Sequence, residues 1–122
     1  MTNQEMFQKA VRGLASQGWE QSVIKEKGEN EYVQFLRCAY SDGEGRHCAW
    51  GWIDTDLKAE DSSSIYGLWQ NKIGVAGKLD NITFAEELQR THDRNTNPDE
   101  MKRDFIRMSK DVGYIWPADV PK

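Results

Sequence analysis

Apolar residues recur at helical spacing near the start of the chain, at Met6, Phe7, Ala10, Val11 and Leu14, and mark a single stripe. Thr2 stands ahead of that stripe and Glu5 follows three positions on, the spacing of a capping box. Gly18 supplies a residue that accepts a positive φ at little cost. A first helix is therefore predicted over about residues 3–16. The pattern then changes. Trp19 to Lys25 leans towards strand through Val23 and Ile24, and Lys27-Gly28-Glu29-Asn30 is a turn signal. Glu31–Tyr40 is rich in Tyr, Val, Phe and Leu. Ser41-Asp42-Gly43-Glu44-Gly45 is a second turn, and Arg46–Ile53 is again strand-like. Together these predict an antiparallel sheet of two or three strands, centred on a hairpin at about 31–53. Its first strand has the weakest signal.

Helical signals return after the polar stretch Asp54–Asp61. Ser62, Ser63 and Ser64 are N-cap candidates for a short helix carrying Ile65, Leu68, Trp69 and Ile73, weakened by Gly67. Thr83-Phe84-Ala85-Glu86 has capping-box spacing and opens a helix to about Asp93. Phe84, Leu88, Thr91 and His92 share one of its faces. Asn97-Pro98-Asp99-Glu100 is the strongest local signal. It combines an Asn cap, Pro at the first helical position and acids where the helix dipole favours them. That last helix is predicted to reach about Val112, to bury Met101, Phe105, Met108 and Val112, and to end at Gly113. The apolar tail Tyr114-Ile115-Trp116-Pro117 is expected to dock on the core. The expectation is an α+β fold, one domain over residues 1–122, in which about four helices pack a small antiparallel sheet.

Composition narrows the function classes. At 122 residues the chain can bury a core without staples. Five tryptophans argue against disorder. No apolar run approaches the roughly 20 residues of a membrane span. The polar N-terminus does not resemble a secretory signal, which predicts a cytoplasmic setting and free thiols. The net charge of −4, with no basic excess in either half, gives no dedicated nucleic-acid binder.

The candidate chemistry lies in the 31–53 stretch. A five-residue loop at 41–45 would pair Tyr40 with Arg46 and so place Cys38 opposite Cys48, Leu36 opposite Trp50 and Gln34 opposite Trp52. The two thiols then admit several roles. They can be small buried hydrophobes or a cross-strand disulfide. They can be zinc ligands with His92 and either Asp93 or His47, although no close-spaced ligand pair is present. Alternatively Cys48 is a nucleophile, with His92 as base and Asp93 as orienter. If Gly45–Cys48 instead opens a helix, Cys48 sits at its positive end. His92 can equally be a hydrogen-bonded structural residue near a helix C-terminus. Arg103, Arg107 and Lys110 share a face of the last helix. They form either a solvated surface or a site for an acidic partner. Trp50 and Trp52 are candidate edges of a groove or an interface. No metal or cofactor is expected.

Three separated motifs resemble a family of small uncharacterised phage and prophage proteins. They are Cys38-Ala39-Tyr40, then Gly45-Arg46-His47-Cys48-Ala49-Trp50-Gly51, then Leu88-Gln89-Arg90-Thr91-His92-Asp93. The family shows C-x-Y, a glycine turn with G-x-K-C-A-x-G, and L-Q-x-x-H-D in that order. This chain departs from it at Ser41, where Arg is common, at His47, where Lys is common, and at Ile53-Asp54-Thr55-Asp56, where the family tends to read L-I-P-D. The resemblance implies a mobile-element origin and a bacterial-cytoplasm setting, and it draws attention to Cys38, Cys48, His92 and Asp93. Two functions follow as expectations. One is an accessory protein that binds a macromolecular, protein partner, for instance to inhibit a host defence or regulatory factor. The other is a thiol-dependent hydrolase or transferase built on a Cys48–His92 dyad.

Overall fold

The computed structural model describes the backbone of residues 1–27 and 34–122, and the side chains of residues 1–25 and 37–122. Helix α1 spans Asn3–Ser16. Strands β1, Val23–Lys27, and β2, Gln34–Cys38, follow. Four helices complete the chain: α2 Ala49–Ile53, α3 Ile65–Gln70, α4 Thr83–Asp93 and α5 Pro98–Val112. A short 3₁₀ turn at Ala76–Lys78 lies between α3 and α4. The fold is a small α+β fold, among the described residues a two-stranded antiparallel sheet beside five helices. No helix among the described residues is long and apolar enough to cross a membrane.

The helices form where their ends are chemically satisfied. Thr2 and Glu5 close a reciprocal capping box on α1, a device that stabilises a helix start by about 1 kcal/mol. At the other end Gly18 N–H donates to the Ala15 carbonyl and Trp19 N–H to the Leu14 carbonyl, a Schellman closure. Gly18 and Trp19 both take positive φ, 69° and 63°. A bulky residue rarely adopts such a φ; Trp19 is held there by ring packing against Trp116 and Phe105. Asn97 Oδ1 accepts from the N–H groups of Asp99 and Glu100. Pro98 opens α5, and Gly113 ends it at φ 84°. On α4 the sequence pattern is displaced by one residue. Ile82 occupies the cap, Thr83 is already helical, and Asn81 Oδ1 accepts from Thr83 N–H.

The sheet differs from the expected hairpin. Strand β2 pairs backwards with β1, from Val23 opposite Cys38 to Lys27 opposite Gln34. It does not pair forwards with 46–53. The turn expected at 27–30 falls at residues outside the described set beyond Lys27. Past Cys38 only one bridge forms among the described residues, Ser41 with His47. The chain then coils into α2, with Cys48 as N-cap: its Sγ accepts from Gly51 N–H at 3.3 Å. A short apolar run such as Ala49–Ile53 fits a buried strand and a buried helix equally well by period. In the helix position 51 requires glycine, because a Cβ there would strike the Tyr40 carbonyl oxygen. Cys38 and Cys48 are therefore not cross-strand partners, and both are free thiols.

The buried apolar residues form one cluster. Its centre is Met6, Phe7, Val11 and Leu14 of α1, Trp50 and Ile53 of α2, Leu88 of α4, and Met101 and Phe105 of α5. Trp52 lies across Gly13 of α1, where any side chain would collide with the indole. The C-terminal tail docks on α1 as its apolar character suggests. Gln4 exchanges hydrogen bonds with the backbone N–H and carbonyl of Ile115, and the Phe7 ring stacks on Tyr114 at 5.4 Å. Two expected core positions fall outside: Val112 is exposed, and Ile73 lies beyond the end of α3.

Candidate functional site

His92 ends the buried face of α4 and is completely enclosed. Its Nε2 accepts the backbone N–H of Ser22 at 3.0 Å, and its Nδ1 lies 2.9 Å from Asp93 Oδ1. The Ser22 amide can only donate, so Nε2 carries the lone pair and Nδ1 the proton. Around this pin the base of the sheet is tied down. Ser22 Oγ donates to the Ala39 carbonyl, Ala39 N–H donates to the Ser22 carbonyl, and Gln21 Nε2 donates to the carbonyls of His92 and Asp93. The His92 ring thus joins the C-terminal end of α4 to the residues flanking β1 and β2.

Asp93 is the outward half of the same arrangement. Its Oδ1 accepts from His92 Nδ1 and, at 3.0 Å, from Gln89 Nε2 one helical turn earlier. The Gln89 amide oxygen in turn accepts Trp50 N–H at the start of α2. Both orienting donors come from α4 itself, at positions 89 and 92, so the helix fixes the carboxylate. The Cys38 thiol, at the end of β2, donates towards the same carboxylate. Burial first, and then the Asp93 charge and that hydrogen bond, push the thiol up to about 12. Such a thiol is not a thiolate at neutral pH and is a weak nucleophile.

Cys38 and Asp93 face an open cleft of about 400 Å³ between α4 and the Asp61–Ile65 segment. Glu86, Gln89 and Arg90 line it from α4, Arg37 and Tyr40 from the sheet side, and Ser62, Ser63 and Ser64 from the opposite wall. The Tyr40 hydroxyl donates to the Ser63 carbonyl at 2.5 Å and ties that wall to the sheet base. Arg37 Nη2 donates to the Ala59 carbonyl, and Arg90 pairs with Glu87 at 2.7 Å rather than with Glu86.

The residues singled out in the sequence are distributed differently. Cys48 is fully enclosed and serves as a helix cap, with burial as the main cause of a thiol pushed up to about 12. Both ring nitrogens of His92 are already engaged, so no lone pair is left to take a proton from Cys48. A dyad needs that lone pair. Trp50 is a core residue rather than a groove edge, and its indole N–H has no partner among the described residues. Trp52 is half-buried, donates to Gln17 Oε1 and packs against the His47 ring at 4.6 Å. Arg103, Arg107 and Lys110 stand exposed on α5, where Arg107 pairs with Asp104 at 3.3 Å.

The donor atoms of Cys38, His92 and Asp93 lie within 4.8 Å of one another, close enough to suggest a metal site. Ligation through Nδ1 would require Nε2 to carry the proton, and that N–H would point at the Ser22 N–H. The set therefore offers a thiol and a carboxylate but no available imidazole nitrogen, one ligand short of the usual three of an open zinc site. The sequence pointed to Cys38, His92 and Asp93 but missed the wall they face. The serine run carried only capping signals, and the one hint at Gln89 and Arg90 was their place in the L-Q-x-x-H-D motif.

No protein-family model, curated protein or solved structure matches this chain.

Proposed function

We propose that this chain is a small accessory protein of a phage or mobile element that acts in the bacterial cytoplasm by binding a protein partner. Inhibition of a host defence or regulatory factor is the form of action the proposal takes. Its main support is the open cleft beside α4, which presents a helix-fixed carboxylate and an extended wall to solvent. Binding is favoured over thiol chemistry because the groups a nucleophile would need are consumed by the fold. His92 pins the sheet base and Cys48 caps α2. The resemblance of three motifs to those of phage and prophage proteins supports the origin.

The test is affinity capture. The tagged chain is incubated with bacterial lysate, and bound proteins are quantified against the bait and re-formed from purified components on a sizing column. A partner near one-to-one that co-elutes is the expected result. Absence of any stoichiometric partner refutes the proposal.

A further inference from the structure

Asp93 is held from behind by its own helix. One oxygen accepts from two donors, His92 Nδ1 and Gln89 Nε2. Behind them the fully buried His92 ring is itself fixed by the Ser22 amide. A side chain locked in this way has already lost its rotamer freedom, so a ligand does not have to order it. It opens on a cavity of about 400 Å³, ample for the end of a long side chain and near the lower end of the range of small-ligand pockets. The cavity lining carries Asp61, Glu86 and Asp93 against Arg37 and Arg90. Arg90 is already neutralised by Glu87, and Arg37 is engaged by the Ala59 carbonyl. The Ala59 carbonyl does not cancel the Arg37 charge, but Asp61, Glu86 and Asp93 outnumber it, so the net charge around the cavity is negative. It also reaches the Cys38 thiol and the Tyr40 hydroxyl, both of which burial raises and the Asp93 charge raises further.

From this geometry we infer that the cleft between α4 and the Asp61–Ile65 segment receives a cationic side chain of the partner, a lysine or an arginine, on the Asp93 carboxylate. His92 and Gln89 are positioning residues for that carboxylate. The exposed Ser62–Ser64 wall lies alongside, where the backbone of the partner segment can find hydrogen bonds. The inference deepens the protein-binding proposal and rests on it.

The experiment is an NMR titration of the ¹⁵N-labelled full chain with three blocked tripeptides: acetyl-Gly-Arg-Gly-amide, acetyl-Gly-Lys-Gly-amide and acetyl-Gly-Glu-Gly-amide. The cationic peptides are expected to shift the amides of Ser63, Arg90 and Asp93 and the Gln89 side-chain amide, with Kd on the order of millimolar. Asp93→Asn keeps an acceptor oxygen for His92 and Gln89, so the fold survives while the charge is lost. It should weaken the arginine and lysine peptides at least about tenfold, as expected for a close charge pair. Glu86→Gln, farther from the fixed carboxylate, should weaken them less. Three results each overturn the assignment: an equal response to the glutamate peptide, a response spread over all surface carboxylates, or unchanged affinity in a folded Asp93→Asn variant. A cleft silent to all three peptides also overturns it. If lysate capture still yields a stoichiometric partner in that case, protein binding stands and only the cleft assignment falls.

Discussion

Replacing His92 by Ala separates a structural pin from a catalytic base. The ring is fully buried, and its removal leaves the Ser22 N–H without an acceptor. An orphaned buried donor costs about 1–3 kcal/mol. Truncating a large enclosed side chain to a methyl adds a cavity cost, and comparable core truncations total about 2–5 kcal/mol. The two terms overlap, so a loss of about 3–5 kcal/mol is expected. That is a large share of the roughly 5–15 kcal/mol that holds a domain together. With a urea m-value of about 1–3 kcal/mol/M, the midpoint should fall by roughly 2 M. Urea unfolding of wild type, His92→Ala and the exposed control Arg107→Ala makes the measurement; the control should stay within about 0.5 kcal/mol. Hydrogen exchange at Ser22 should accelerate in His92→Ala beyond what the global loss explains. The ¹⁵N shifts of the His92 ring should report a proton on Nδ1 and a lone pair on Nε2. A loss below about 1 kcal/mol, or a ring protonated on Nε2, would falsify the pin.

Four further outcomes are expected. At pH 7.5 iodoacetamide should label the native thiols at least about tenfold more slowly than the unfolded ones, since burial raises both. Cys38, half-buried at the cleft, should react before Cys48; peptide mapping showing Cys48 first would reverse the assignment of the accessible thiol. Gly51→Ala should cost about 3 kcal/mol or prevent folding, because its Cβ would meet the Tyr40 carbonyl; a thermal midpoint close to wild type would show that α2 can shift. Burial works to raise the Asp42 carboxyl, but hydrogen bonds from the Arg46 guanidinium and from the N–H groups of Glu44 and Arg46 outweigh it and hold it below its usual range. A lowered folded value stabilises above the unfolded pKa of about 3.9 and is lost as pH falls below it. The stability gap between wild type and Asp42→Asn should therefore be full at pH 6 and shrink below about pH 4; a gap constant to pH 2 contradicts the linkage. Finally, cobalt(II) added to the native chain should give no thiolate charge-transfer band, because His92 has no free nitrogen; a band that disappears in Cys38→Ser would restore a metal site.

Much of this architecture was legible in local chemistry. The Thr2–Glu5 box, Gly18, Asn97-Pro98 and Gly113 set the ends of α1 and α5, because caps and positive-φ positions act within a turn of the residues that carry them. The apolar stripes named most of the core for the same reason. The hairpin was misplaced because Ala49–Ile53 carries no period long enough to tell strand from helix. Its state depends on Gly51 meeting the Tyr40 carbonyl and on Cys48 capping the turn. The first of those contacts exists only once α2 packs on the Tyr40 backbone. The site followed the same division. Cys38, His92 and Asp93 were visible as residue types and as motif members. Which thiol is accessible, which ring nitrogen holds the proton, and which side of Asp93 faces an open cleft were settled by tertiary contacts. Ser22 reaches His92 across 70 positions of sequence, and the serine wall reaches Tyr40 across 23. Sequence alone determined α1, α3, α4 and α5 and the residues to watch, since those signals are local. The tertiary structure decided what those residues do, because the bond that commits the His92 ring reaches back to Ser22 across the chain, while packing encloses Cys48 and sets the Asp93 carboxylate on the cleft.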